Sequence, residues 1–217
     1  ARRRFRRERG SRTETAPRRG ISLDATGKKG VRMRMRALAI PVLLLAAFTS
    51  EPAAANPCEG EILRAAERYG VPAGILYAVG LTETGRKGSL QPFALNIEGR
   101  AVFARNKAEA IRTFTEARSG GAKLIDLGCM QINHHYHRDR FTGVADMLDP
   151  RRNVDYAARF LAELKKRHAS WSMAVARYHA GPDNDPAQKR YVCRVIHNMV
   201  ATGFGRWTTN ARAFCNQ

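Results

Sequence analysis

The sequence predicts an α-helical domain with one small β-hairpin. Three observations carry that expectation. Apolar residues recur at three- and four-residue spacing through most of the chain after Asn56, Gly and Pro fall at cap positions between those stretches, and only one short segment alternates around a glycine as a hairpin would.

The elements follow in order. Ile62, Leu63, Ala66 and Tyr69 lie at helical spacing, and Gly70 is placed to stop that helix. Pro72 suits the start of a second helix over residues 73–83, whose Ile75-Leu76-Tyr77-Ala78-Val79-Gly80-Leu81 run is apolar nearly all round, the mark of a buried helix. Glu83 stands at its C-terminal end. Residues 92–103 alternate around Gly99 and predict the hairpin. Asn106 with Glu109 three residues on reads as a capping box for a helix through Arg118, ended by Gly120-Gly121. Asp149-Pro150 supplies a cap and a first-turn proline for a long helix to about His168, with Val154, Ala157, Ala158, Leu161 and Leu164 on one face. Residues 171–180 form a further helix that Gly181-Pro182 breaks. Asp185-Pro186 then opens what should be the last helix, with Tyr191, Val192, Val195, Ile196 and Met199 as its apolar residues.

The first third of the chain is of another kind. Residues 1–36 hold 14 of the 38 Lys/Arg and almost no periodic apolar residues, so residues 1–34 are expected to be a disordered basic leader. After Arg36 come the apolar run 37–48 and the triplet Ala53-Ala54-Ala55, the order of a secretory signal peptide over residues 35–55. Such peptides open at a Met with a short basic head, so Met33 or Met35 reads as the start and the leader as untranslated. The apolar run is too short for the roughly 20 residues a spanning helix needs, and no membrane anchor is expected after cleavage. Residues 56–217 are long enough for one domain with a sizeable core.

The whole chain has a formal charge of +19, but residues 56–217 carry 24 Lys/Arg against 15 Asp/Glu, or +9. A basic exported domain suits an anionic polymer such as the cell wall. Nucleic acid is set aside as a partner, because the strongest Arg cluster lies in the leader and no recognition motif follows it. All four cysteines, Cys58, Cys129, Cys193 and Cys215, come after the cleavage point. Their even number in an exported chain predicts two disulfides, with all three pairings open. Zinc is disfavoured because there is no Cys-x-x-Cys pair, and His134, His135 and His137 lack an acidic partner at ligand spacing. There is no phosphate loop, nucleophile elbow or dinucleotide fingerprint.

Three separated segments carry the chemistry. They are Leu81-Thr82-Glu83-Thr84-Gly85, Asp126-Leu127-Gly128-Cys129-Met130-Gln131-Ile132-Asn133 and Ala176-Arg177-Tyr178-His179-Ala180-Gly181-Pro182. In this order, over residues 59–200, they resemble the soluble lytic transglycosylase catalytic domain of the lysozyme-like superfamily. That family closes a buried helix with Glu-Ser and follows it with Gly-Leu-Met-Gln-Ile and Ala-Tyr-Asn-Ala-Gly segments. Here Thr84 stands for Ser, Cys129 for Leu and His179 for Asn. Thr keeps the hydroxyl and Cys stays small and apolar, whereas an imidazole in place of an amide changes the donor pattern and adds a titratable group.

The resemblance implies a lysozyme-like fold and cleavage of the β-1,4 bond between N-acetylmuramic acid and N-acetylglucosamine, with formation of a 1,6-anhydro end. Glu83 would be the single catalytic acid and base, needing a pKa lifted by burial beside apolar residues. Thr84, Met130, Gln131, Tyr178 and His179 would be substrate-binding, with Tyr178 orienting the acid from a facing helix and Met130 and Gln131 lining the groove. No cofactor is implied. The partner would be peptidoglycan glycan strands in the periplasm or outside the cell, and small members of this kind serve secretion, pilus or flagellar machines. Two rival readings stand beside it: a hydrolase of the same bond, for which Asp126 is the candidate second carboxylate, and an inactive wall-binding scaffold. A short acidic residue ahead of a Gly turn is more often a local cap, and Asp126 is expected to be one.

Overall fold

The computed structural model describes residues 56–181 and 184–216. The leader and signal segments expected over residues 1–55 lie outside the described residues. The helices expected from the sequence are present. Helix α1 (Pro57–Tyr69) is capped by the Asn56 side chain and ends at Gly70 in the left-handed region (φ 64°), where glycine is not penalised. Helix α2 (Ala73–Thr84) is buried along most of its length, with Leu76, Ala78, Val79 and Gly80 all shielded from solvent. Helix α3 (Lys107–Ser119) is capped by Asn106. The expected box closes one residue early, since Glu109 accepts from the Arg105 amide at 3.1 Å.

The hairpin is β1 (Ala94–Ile97) paired antiparallel with β2 (Arg100–Phe103). It is half of a larger sheet, ordered β2-β1-β3-β4, to which β3 (Ile125–Leu127) and β4 (Ile132–Asn133) contribute. The histidine segment follows as a short helix α4 (His134–His137) and a 3-10 turn (Arg138–Arg140), then α5 (Val144–Met147).

Asp149 caps α6 (Pro150–His168), and the expected face of Val154, Ala157, Ala158, Leu161 and Leu164 is buried against α1 and α7 (Trp171–His179). Helix α8 (Asp185–Ala201) is capped by Asn184, one residue before the expected start, and packs on α2 and α7. It is not the last. Helix α9 (Thr209–Cys215) follows, and the Cys193–Cys215 disulfide fastens it to α8. The second disulfide, Cys58–Cys129, joins the start of α1 to the segment between β3 and β4. The open question of pairing is thereby answered. Among the described residues no helix is long and apolar enough to cross a membrane.

Candidate active site

Glu83 lies in the last turn of α2, and Gly85 ends that helix with φ −57° and ψ 117°. Glycine is needed there, because a Cβ would run into the Leu81 carbonyl. The chain therefore turns away just beyond the carboxylate and leaves it facing a cavity of about 300 Å³. That cavity is lined on the opposite side by the sheet residues Asn96, Asp126 and Asn133, and beyond them by Gln131, Tyr178 and His179.

The 128–131 loop forms the floor, and its shape is over-determined. Gly128 has φ 80°, and a Cβ there would meet Asn153 Nδ2 at 2.6 Å, so only glycine lets α6 come this close. Asn153 is fully buried and uses its whole amide. It donates to the Leu127 carbonyl at 2.8 Å and the Met147 carbonyl at 2.9 Å, and accepts from the Met130 amide at 2.8 Å. The Tyr178 hydroxyl donates to the Met130 carbonyl at 2.7 Å. Gln131 takes φ 47°, a conformation a non-glycine residue holds only when its surroundings impose it, and its amide donates to the Ala94 and Gly128 carbonyls.

The arrangement brings some of the expected residues to the cavity and leaves others away from it. Thr84 does not reach the cavity. It is 3% exposed, and its hydroxyl lies 2.9 Å from the Cys129 carbonyl and 3.2 Å from the Gly80 carbonyl while accepting from the Gln91 amide. It is a strut between α2 and the loop. Met130 is fully buried against Gly80 and presents no surface to the cavity. Tyr178 lines the cavity, but its hydroxyl is committed to the loop instead of to Glu83. The hydroxyl that meets the acid belongs to Tyr191 of α8, which donates to Glu83 Oε1 at 2.5 Å. Asp126 is no turn cap either. It sits in β3 opposite Asn133, whose amide donates to Asp126 Oδ1 at 2.6 Å, and it faces the cavity.

Burial is the largest influence on Glu83 and pushes its carboxyl up to about 7. The Tyr191 hydrogen bond works against that rise, the charge of Asp126 adds to it, and Arg194 opposes it. Asp126 is itself raised by burial, with the Asn133 amide countering. Burial, with the Glu83 charge adding to it, holds Tyr191 and Tyr178 well above the usual phenol range, so both remain donors. His179 stacks flat on the Tyr191 ring at 4.2 Å, and burial followed by Arg194 lowers its pKa, keeping the imidazole neutral near pH 7. The three neighbouring histidines go separate ways. His134 packs on Phe114 and His137 Nδ1 meets the Tyr156 hydroxyl at 2.8 Å, while His135 stays exposed. Among the described residues no group of three or more His, Cys, Asp or Glu is placed to hold a metal ion.

A carboxyl poised near neutrality by burial, a tyrosine aimed at it and a cleft walled by Tyr178 and Phe160 suit acid-base chemistry on a ligand held in the cleft. A family model described as Transglycosylase SLT domain matches residues 61–195, which is 135 of the 217 residues. The chain belongs to that family of lytic transglycosylases acting on peptidoglycan, and its α-rich fold with a small sheet is the lysozyme-like one. No curated protein and no solved structure matches the chain.

Proposed function

We propose that this protein is an exported lytic transglycosylase that cuts the bond between N-acetylmuramic acid and N-acetylglucosamine and leaves a 1,6-anhydro-muramic end. The observation that carries the reading is Glu83: a carboxyl raised to about 7, facing a cleft and held by a phenol that does not ionise. Protonated, it gives its proton to the glycosidic oxygen as the bond to the anomeric carbon breaks. As carboxylate, it then takes the proton of the muramic 6-hydroxyl while that oxygen bonds to the same carbon. The leaving sugar keeps the first proton, Glu83 regains the second, and no water is consumed. Tyr191 fixes the carboxyl rotamer through both stages.

Asp126 favours one second reading, hydrolysis. It shares the cavity with Glu83 and could serve as nucleophile or base, the roles a second carboxylate plays in glycosidases. Its Oδ1 is held by Asn133 and its charged form is disfavoured by burial, which favours an auxiliary role instead. Mass spectrometry of fragments released from purified peptidoglycan in oxygen-18 water separates the two. Anhydro ends without label are expected. Labelled reducing ends would replace the lyase reading with the hydrolase one. In the same assay Glu83→Gln should lose about 10³-fold in rate, and wall clearing that persisted in this variant would remove Glu83 from the chemistry.

A further inference from the structure

A second cavity of about 300 Å³ opens directly off the first, with Tyr136, His137 and Phe160 lining both. Its remaining walls are Arg140, from the 3-10 turn, and Tyr156, Arg159, Glu163 and Arg167, which follow one another at three- and four-residue steps along one face of α6. Three guanidinium groups thus converge on one concavity against a single carboxylate. Among the described residues none of the three arginines is in an ion pair, although other arginines of this domain, such as Arg68, Arg105 and Arg152, have found acidic partners. Arg159 is instead held over the Tyr156 ring at 5.4 Å, which orients its planar fork. Guanidinium forks with no acidic partner inside the protein, presented beside a polar ring, match carboxylates bidentately.

We propose that this arginine-lined cavity receives the free carboxylates of the peptide stem attached to the muramic acid, so that the enzyme reads the stem as well as the sugar backbone. The inference rests on the reading of the chain as a peptidoglycan-cleaving enzyme. Within that reading it is specific: the glycan is uncharged along its ring edges, and its stems are where the wall polymer carries carboxylates at a distance from the scissile bond. Phe160 forms the wall between the two cavities, so a stem leaving the muramic lactyl group near Glu83 would pass over it, with the sugar on one side and the carboxylates on the other.

The test compares soluble glycan strands carrying tripeptide stems with the same strands after an amidase has removed them. The amidase leaves a lactyl carboxylate on the sugar, so the comparison isolates the charges of the stem from a charge at the ring. The triple variant Arg140→Gln/Arg159→Gln/Arg167→Gln should raise KM about tenfold on stem-bearing strands with kcat nearly unchanged, and less than about twofold on bare strands. The pair Arg140→Gln/Arg167→Gln, which leaves Arg159 on its ring, should show the same selectivity at about a third of the effect. Equal losses on both substrates would overturn the proposal, as would no loss on either. A binding arm tests the stem site independently of catalysis. Glu83→Gln protein should hold N-acetylmuramyl tripeptide more tightly than N-acetylmuramic acid, and the triple variant should abolish the difference. A chain that bound the two ligands alike would sink the stem site whatever its activity, whereas a wild type that discriminated between them but cut neither substrate would refute the catalytic reading alone.

Discussion

The two walls of the cleft are built on opposite terms. The helical wall is α2, with α8 packed against it and the 128–131 loop, pinned by Asn153, at its foot. Apart from Glu83 its residues at the site are buried, and the polar groups that hold it together pair inside the protein: Thr84 with Cys129, Asn198 with Thr82, Asn153 with three backbone groups. The facing wall is made of strands two to four residues long, a one-turn helix of histidine and tyrosine, and the basic face of α6. There Tyr136 is 69% exposed, and aromatic rings sit in a chain from Phe141 through Tyr156 and Phe160 to Tyr178. One wall fixes a proton in place and has no tolerance for rearrangement. The other offers surface, and its residues can change what is bound without unfolding what holds the acid.

The contrast can be broken first at Asn153. Asn153→Ala should cost about 3 kcal/mol, because it strips the partner from the buried Met130 amide and from two carbonyls and leaves a void against Gly128. Urea denaturation measures that loss, and a much smaller one would mean the loop floor is held by something other than α6. A facing-wall change such as Tyr136→Ala should leave the midpoint almost unmoved.

Glu83 itself carries the next largest effect, with a sign set by its raised pKa. The unfolded chain ionises this carboxyl near 4.5 and the folded one near 7. Below the unfolded value the group is neutral in both states and costs nothing. Between the two values the unfolded chain releases this proton while the folded one keeps it, so stability falls, and above the folded value it levels off with the cost of the buried charge fully in place. Glu83→Gln removes that penalty, so it should be about 2 kcal/mol more stable than the wild type at about pH 8 and equal to it near pH 4. Thermal melts at the two pH values decide it, and a variant less stable under the alkaline condition would show that the carboxylate is stabilising.

The smallest effects are opposed shifts in the pH dependence of cleavage. The mechanism proposed above needs protonated Glu83, so the rate should fall as pH rises through about 7. Tyr191→Phe removes the hydrogen bond that favours the carboxylate and should move this limb up by about half a pH unit. Asp126→Asn removes the charge that disfavours it and should move the limb down by a similar amount, while the product stays anhydro. Shifts of the same sign would contradict the electrostatics of the site.

The helices were legible because each signal was local. Caps at Asn106 and Asp149, stops at Gly70 and Gly120-Gly121, and apolar residues at turn spacing need no knowledge of distant chain. Strands β3 and β4 were not, since three and two residues carry no measurable period and pair only through partners elsewhere in the chain. Helix α9 was missed for a related reason: seven residues are too short to show a helical period, and it depends on Cys215 to hold it. At the site, Glu83 stood out as a lone carboxylate closing an apolar helix. Tyr191 did not, because its place on an apolar helix face read as packing. The signal was present in its chemistry, as a tyrosine buried to 1% exposure must find an acceptor for its hydroxyl, and a carboxylate is the strongest one. Thr84 and Met130 lie away from the cavity because neighbouring positions in a motif need not share a direction.

The Cys58–Cys129 bridge has a consequence for how the chain comes together. It joins residues 71 positions apart, the kind of contact that a folding polymer finds late because so much intervening chain must first be brought to order. Closing a loop of that length in advance removes about 4 kcal/mol of freedom from the unfolded ensemble in the chain-entropy picture. Its far end is Cys129, in the middle of the loop under the acid, so the crosslink restricts the search of the one segment that Asn153, Thr84 and Tyr178 must all find together. A reduced chain begins that search with both ends free, and the redox state of its surroundings sets how far assembly of the cleft has already gone before any helix packs.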